Sequence, residues 1–322
     1  MVGMALDPGR ITTTIPVEPR RARLTPLIAT TNPVETSSAR HTRILWVRTA
    51  PYDARVPSTL TRPSKHRRAP AVWVPQEHGA WSWLVSPVIA GAIVAGPQVH
   101  QLFLLGVALA GYMLFNAASW WAKMPSTRRS EAVPPMLAYA GVAGLFTIAL
   151  LVSAGWGALA WLAVLVVPLA VAYLLTLRGA GRSLGSGLAT AVASSTLLLV
   201  AVQPDLLAFL RDVRPSRLWG VAIMYGSTVG TLFAVKSMIR KSGSKRFLAV
   251  SVAWHVGWVM VAAAGGRAGL PVAWTAYFLV TTVRATVLPL VARRHPLRPV
   301  TIGLIELGLT VVMLVLYAWP GV

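Results

Sequence analysis

The stretch WGALAWLAVLVVPLAVAYLLTL, residues 156–177, carries no charged side chain in 22 positions. At the α-helical rise of about 1.5 Å per residue it reaches about 33 Å, enough to cross a hydrocarbon core of roughly 30 Å. It is apolar on every side. A helix packed in a water-soluble core would show a polar stripe every third or fourth residue instead. Blocks of the same kind recur from residue 79 onward. They predict nine spans, at about 79–96, 99–121, 133–153, 156–177, 187–203, 218–236, 247–265, 271–291 and 300–319. A mean hydropathy of +0.63 with only 12% charged residues agrees. The expected fold is an all-α polytopic transmembrane helical bundle set in a lipid bilayer.

Details of the blocks refine this expectation. The first and fifth spans are short and rich in small residues, which suits tilted or central helices. Pro87, Pro168 and Pro289 fall inside spans, where packed neighbours can re-satisfy the freed carbonyls. Trp81, Trp83, Trp120, Trp121, Trp156, Trp219, Trp274 and Trp319 lie near span ends, as an interfacial belt would.

Residues 1–70 differ in kind. Stretches such as TTTIPVEPRRARLTP (12–26) and TRPSKHRRAP (61–70) lack apolar periodicity and cannot bury enough surface to fold alone. They also lack the apolar centre of a signal peptide. The expectation is a disordered basic tail, residues 1–70, ahead of a transmembrane domain, residues 71–322.

The formal charge of +21 does not point to nucleic acid, because of where the charge lies. Of the 30 Lys and Arg, 12 fall in residues 1–75 and most others in short loops. Lys123, Arg128 and Arg129 follow the second span, and Arg178 and Arg182 the fourth. Lys236, Arg240, Lys241, Lys245 and Arg246 follow the sixth, and Arg293, Arg294 and Arg298 the eighth. The alternate loops hold only Arg211, Arg214, Arg217 and Arg267. Basic loops face the cytoplasm in inner-membrane proteins, so the N-terminus is expected inside and, with an odd span count, the C-terminus outside.

Three ionisable residues are expected deep within spans, where each costs several kcal/mol unless paired or hydrated. Counted from the basic ends, Glu306 lies roughly 9 Å deep, Arg284 roughly 12 Å and His255 roughly 13 Å. They sit on consecutive helices at similar depth. Arg284 and Glu306 suit either a packing ion pair or a cavity cation with its orienting carboxylate. His255 suits a packed, hydrogen-bonded histidine or part of the same cavity lining.

Further polar groups open toward the same side. Glu77 and His78 stand at the start of the first span, in VPQEHGAWSW (74–83). Asn116, Ser119 and Lys123 close the second on one helical face. Lys236 and Arg240 close the sixth, one turn apart. Arg and Lys converging from several helices suit a phosphate or carboxylate. The candidate ligand-binding set is therefore Asn116, Lys123, Lys236, Arg240, Arg284 and Glu306, with Glu77, Ser119 and His255 lining the cavity. His78 is the candidate acid/base, since histidine titrates near neutral pH.

Other chemistries find little footing. The 71–322 region has five acids, Glu77, Glu131, Asp205, Asp212 and Glu306, and no two share a helix face. That is too few for a carboxylate-built magnesium–diphosphate clamp. No metal ligand set and no particular cofactor is assigned. With no cysteine in the chain, thiolate metal sites and thiol nucleophiles are excluded. P-loop, nucleophile-elbow and dinucleotide fingerprints are absent from the sequence.

Three stretches resemble the YwiC-like family of membrane proteins: VPQEHGAWSWLVSP (74–87), VKSMIRKSGSKRF (235–247) and VRATVLPLVARRHPLRPVTIGLIE (283–306). His78, Gly79, Ala80 and Trp81 fit that family's pattern, whereas Glu77 stands where members vary. The family implies a membrane location and little about activity. The layout of nine spans with polar loops after the second and sixth is also similar to that of UbiA-type intramembrane prenyltransferases. There those loops carry Asp-rich motifs that hold magnesium and an isoprenoid diphosphate. The corresponding stretches here, FNAASWWAKMPSTRR (115–129) and VKSMIRKSGSKRF, have lost the aspartates and gained cations. The layout implies an anionic lipid or isoprenoid phosphate held directly by basic side chains, in a divergent prenyltransferase-like protein. A small-solute transporter and a non-catalytic assembly subunit are the competing expectations.

Overall fold

The computed structural model describes residues 71–75, 80–295 and 297–319. The expected tail, together with Glu77 and His78, lies outside the described residues. Ten α-helices follow in order: α1 Ala80–Ala95, α2 Val99–Lys123, α3 Val133–Ala154, α4 Trp161–Leu177, α5 Leu184–Val202, α6 Leu206–Arg211, α7 Pro215–Ile239, α8 Lys245–Gly265, α9 Val272–Arg294 and α10 Pro299–Tyr317. The described residues contain no strand. Eight of the helical segments are long and apolar enough to cross a membrane, so this is a multi-pass membrane protein.

The expected spans and the helices correspond one to one, apart from two departures. α1 has 16 residues, about 24 Å of helix, and is a shorter apolar helix than a full span requires. The stretch read as one loop after α5 holds a short helix, α6. Asp205 caps it, accepting from the backbone N–H groups of Leu207 at 2.8 Å and Ala208 at 3.0 Å.

Helix starts follow local chemistry. Ser183 and Ser244 accept the backbone N–H groups of Ser186 and Phe247 at the first turns of α5 and α8. Pro215 and Pro299 open α7 and α10, where a missing N–H costs nothing. Pro87, Pro168 and Pro289 lie inside α1, α4 and α9, as expected.

Burial shows which helices are central. In the most apolar window of α5, 61% of residues are buried, and 50% in α7, against 6% in α3. α5 packs on α1, α4 and α7, while α7 also meets α8 and α9. Gly91 permits the α1–α5 approach: a Cβ there would lie 2.4 Å from Ala201 Cβ and 3.1 Å from Leu198 O. One apolar core, with Val88, Leu104, Trp161, Leu197 and Phe209, lies among α1 to α6. A second, with Ile223, Met224, Trp274, Phe278 and Tyr317, lies among α7 to α10 and is joined by Ala90 and Leu198.

Trp274 corrects the expected belt. It is fully buried against Tyr277 and Tyr317, at ring-centroid distances of 6.0 and 5.1 Å. Position near a helix end does not reveal which side of the helix faces lipid. Trp156 and Trp319 are exposed.

Candidate functional site

The site is built on a pair of glycines one turn apart, Gly226 and Gly230 in α7. A Cβ on Gly226 would fall 2.3 Å from the Trp258 ring, and one on Gly230 2.9 Å from His255 Nε2. Small residues four apart let two membrane helices approach closely. Here they seat the Trp258 and His255 side chains of α8 against the α7 backbone. Trp254 Nε1 donates to Gly226 O at 3.0 Å, tying the same turn. Trp258 in turn stacks on Phe278 of α9, with centroids 5.3 Å apart and planes 25° apart.

Below this aromatic wall lies the charge pair. Arg284 Nη2 of α9 is 3.1 Å from Glu306 Oε2 of α10, and Thr231 Oγ1 of α7 donates to the same oxygen at 2.8 Å. Both charged side chains are buried. Among the described residues, Glu306 Oε1 and Arg284 Nε and Nη1 have no hydrogen-bond partner. The exposed pair Arg128–Glu131 makes the comparison sharp, because there two guanidinium nitrogens reach both carboxylate oxygens at 2.8 Å. The pair at the surface is bidentate and the buried one is not. A carboxylate that served only to neutralise Arg284 would be expected to use the full fork, where each bond is worth most.

His255 completes the arrangement. Its Nδ1 lies 2.7 Å from Ser251 O, and since a carbonyl only accepts, Nδ1 carries the proton. The neutral ring then presents a lone pair at Nε2, which has no partner among the described residues. His255, Arg284 and Thr281 line one narrow crevice with Trp254, Trp258 and Phe278. It is closed in this conformation, without room for a water molecule. A cation, a proton acceptor and an aromatic wall at one place can bind an anion attached to an apolar body.

The structure thus brings Arg284 and Glu306 into contact and sets His255 on the same crevice. Asn116, Lys236 and Arg240 have separate partners. Asn116 Nδ2 donates to Ala71 O at 3.0 Å and Val72 O at 3.1 Å, holding the 71–75 segment on α2. Ser119 is buried and Lys123 exposed, although both share that helix face. Lys236 Nζ donates to Arg182 O at 2.7 Å and Ser183 O at 3.1 Å, and Arg240 Nη1 to Arg182 O at 3.0 Å. These two cations therefore clasp the α4–α5 turn. No hydrogen bond or ion pair among the described residues joins Asn116 or Lys123 to Lys236, Arg240 or Arg284.

Several participants escaped the sequence reading. Thr231 and the Gly226–Gly230 pair were legible as the small-residue run GSTVG, residues 226–230, followed by a hydroxyl. His100, at the start of α2, is a fourth buried ionisable residue: its Nε2 lies 3.0 Å from Ala201 O, which also accepts from Gln101 Nε2 at 3.1 Å. The remaining described acids serve surface or capping roles. Asp212 lies 2.9 Å from Arg214, Glu131 pairs with Arg128, and Asp205 caps α6. No group of three His, Asp or Glu among the described residues is placed to hold a metal.

Comparison with curated proteins and with solved structures returns no match. A family model, described as YwiC-like protein, matches residues 74–202. The match opens on the stretch containing His78 and Trp81 and ends with α5, so the charge pair of α9 and α10 lies beyond it. Over residues 74–202 the chain is similar to that family.

Proposed function

We propose that this membrane protein binds an anionic amphiphile, a lipid or isoprenoid phosphate, through Arg284. The observation that carries the reading is the buried guanidinium, with Nε and Nη1 unpartnered beside an aromatic-walled crevice. Those two nitrogens lie on opposite edges of the guanidinium, one on each side of Nη2, and each can donate a charge-assisted hydrogen bond to a phosphate oxygen. Glu306, itself held by the Thr231 hydroxyl, engages the third nitrogen, Nη2, and so orients the guanidinium plane. Trp254, Trp258 and Phe278 would meet the apolar part, after α8 moves enough to open the crevice. In this reading the charge on Arg284 replaces magnesium. The loops rich in Lys and Arg face the cytoplasm, the membrane is the inner one, and the ligand arrives from that side. His78, outside the described residues, keeps its place as the candidate acid/base of any prenyltransferase-like chemistry.

The thermal unfolding midpoint of detergent-purified protein tests this against isoprenoid diphosphates, anionic lipids and quinones, with and without magnesium. A ligand at a hundred times its dissociation constant adds about 2.7 kcal/mol to the folded state. The reading requires a magnesium-independent rise with a phosphate-bearing amphiphile and none with quinones. Uptake or counterflow of a small solute by proteoliposomes, with a flat unfolding panel, would favour the transporter reading, in which the incompletely paired Arg284 and Glu306 exchange partners during a cycle.

A further inference from the structure

A second, open cleft lies where α7 and α9 end and α10 begins, with a volume of about 480 Å³. That is within the several-hundred Å³ range of small-molecule sites. Its rim carries Arg293 and Ser242, and Gly243 at φ +86° turns the chain there. Its floor is apolar, formed by Met238, Leu297 and Ile302. Arg293 has no hydrogen-bond or ion-pair partner among the described residues, unlike Lys236 and Arg240, which are held by backbone carbonyls. A free cation over an apolar floor matches the head and the first methylenes of an amphiphilic anion.

The floor also separates this cleft from the buried pair. Met238 and Ile302 belong to an apolar cluster with Ala234 and Ala285, and Ala285 directly follows Arg284. Arg293 is nine residues from Arg284, about 13 Å along α9, so one phosphate cannot touch both. We propose that the Arg293 cleft is a distinct receiving site for the phosphate end of an amphiphile, stationed outside the apolar layer that covers Arg284. The ligand class rests on the function proposed above; the cleft itself does not.

The absence of cysteine makes a direct test simple, because Ser242→Cys places a single thiol on the cleft rim. The full chain in phosphatidylcholine nanodiscs would be labelled with a charged maleimide in the presence of dodecyl phosphate, inorganic phosphate or dodecanol. Dodecyl phosphate is expected to slow labelling at least tenfold, and Arg293→Gln to remove that protection, while Arg294→Gln leaves it. Protection by inorganic phosphate as well would assign the site to free phosphate; protection by dodecyl phosphate alone assigns it to a lipid headgroup. Equal protection by dodecanol, protection that survives Arg293→Gln, or no protection by either phosphate overturns the proposal. Arg284→Lys separates the two sites: it should abolish the unfolding shift proposed for Arg284 and leave Ser242→Cys protection intact. If protection fails while the unfolding shift persists, only the cleft is refuted.

Discussion

Arg284 and Glu306 meet through one nitrogen and one oxygen, 3.1 Å apart, well inside the neighbouring helices α9 and α10. The oxygen is shared with Thr231, so each charged group retains unspent hydrogen-bonding capacity in the middle of the bundle. Burial of charge is tolerated here because the two ions cancel, and loss of one alone leaves the other stranded.

Arg284→Ala should therefore lower stability by about 3–5 kcal/mol, the range for breaking one side of a buried pair. Arg284→Ala with Glu306→Ala should recover much of that loss, because no lone charge remains. Denaturant unfolding of the two single variants and the double variant in one detergent measures the coupling. Additive losses would mean that the pair contributes nothing as a pair.

The glycine seam gives a steric prediction. Gly226→Ala pushes a methyl group into the Trp258 ring, whose nearest atom lies 2.3 Å from the new Cβ position, and should cost about 1–3 kcal/mol. Gly141→Ala, in α3 with nothing within 4 Å, should be neutral or stabilise by up to about 1 kcal/mol through helix propensity. Thermal unfolding of both variants checks the contrast.

Lys236 and Arg240 are expected to act on the α4–α5 turn. Replacing both with Ala removes three charge-assisted hydrogen bonds to Arg182 and Ser183 carbonyls. Amide hydrogen exchange should quicken in residues 178–186 by about tenfold or more, consistent with about 1.5–3 kcal/mol for such a bond. Unchanged exchange there would show that the cations are not the clasp.

Asn116→Ala should release the segment before α1, since both of its amide contacts go to Ala71 and Val72. Faster proteolysis near residues 71–75, with the helical content unchanged, is the expected outcome. Protection equal to that of the parent chain would place the hold elsewhere, for example in Tyr139, which donates to Trp73 O at 2.7 Å.

Much of this architecture was legible because lipid imposes simple rules. A run such as 156–177 can be a span whatever its neighbours are, and the helix bounds follow from where Lys, Arg, Pro and Gly interrupt the runs. The Arg284–Glu306 contact was also within reach, because two opposite charges at matching depth on adjacent helices have few other partners. Which way each helix faces was not. Trp274 reads as an interfacial residue until the Tyr277 and Tyr317 rings close on it, and Asn116, Ser119 and Lys123 share a face on which the first is half-buried, the second buried and the third exposed. Cations at helix ends look alike in sequence. Only packing shows that Lys236 and Arg240 are held by carbonyls while Arg293 stands over an open cleft. Gly226 and Gly230 were passed over because a small residue announces no chemistry of its own, although it decides how near His255 and Trp258 can come.

The most direct test of the central claim compares the parent chain with Arg284→Lys, which keeps the charge and loses the planar, multi-donor guanidinium. The measurement is the thermal unfolding midpoint with geranylgeranyl diphosphate in the absence of magnesium. The account predicts a clear rise for the parent chain and almost none for Arg284→Lys, with both proteins unfolding cooperatively without ligand. The same rise in both proteins, or a rise that appears only with magnesium, would contradict it.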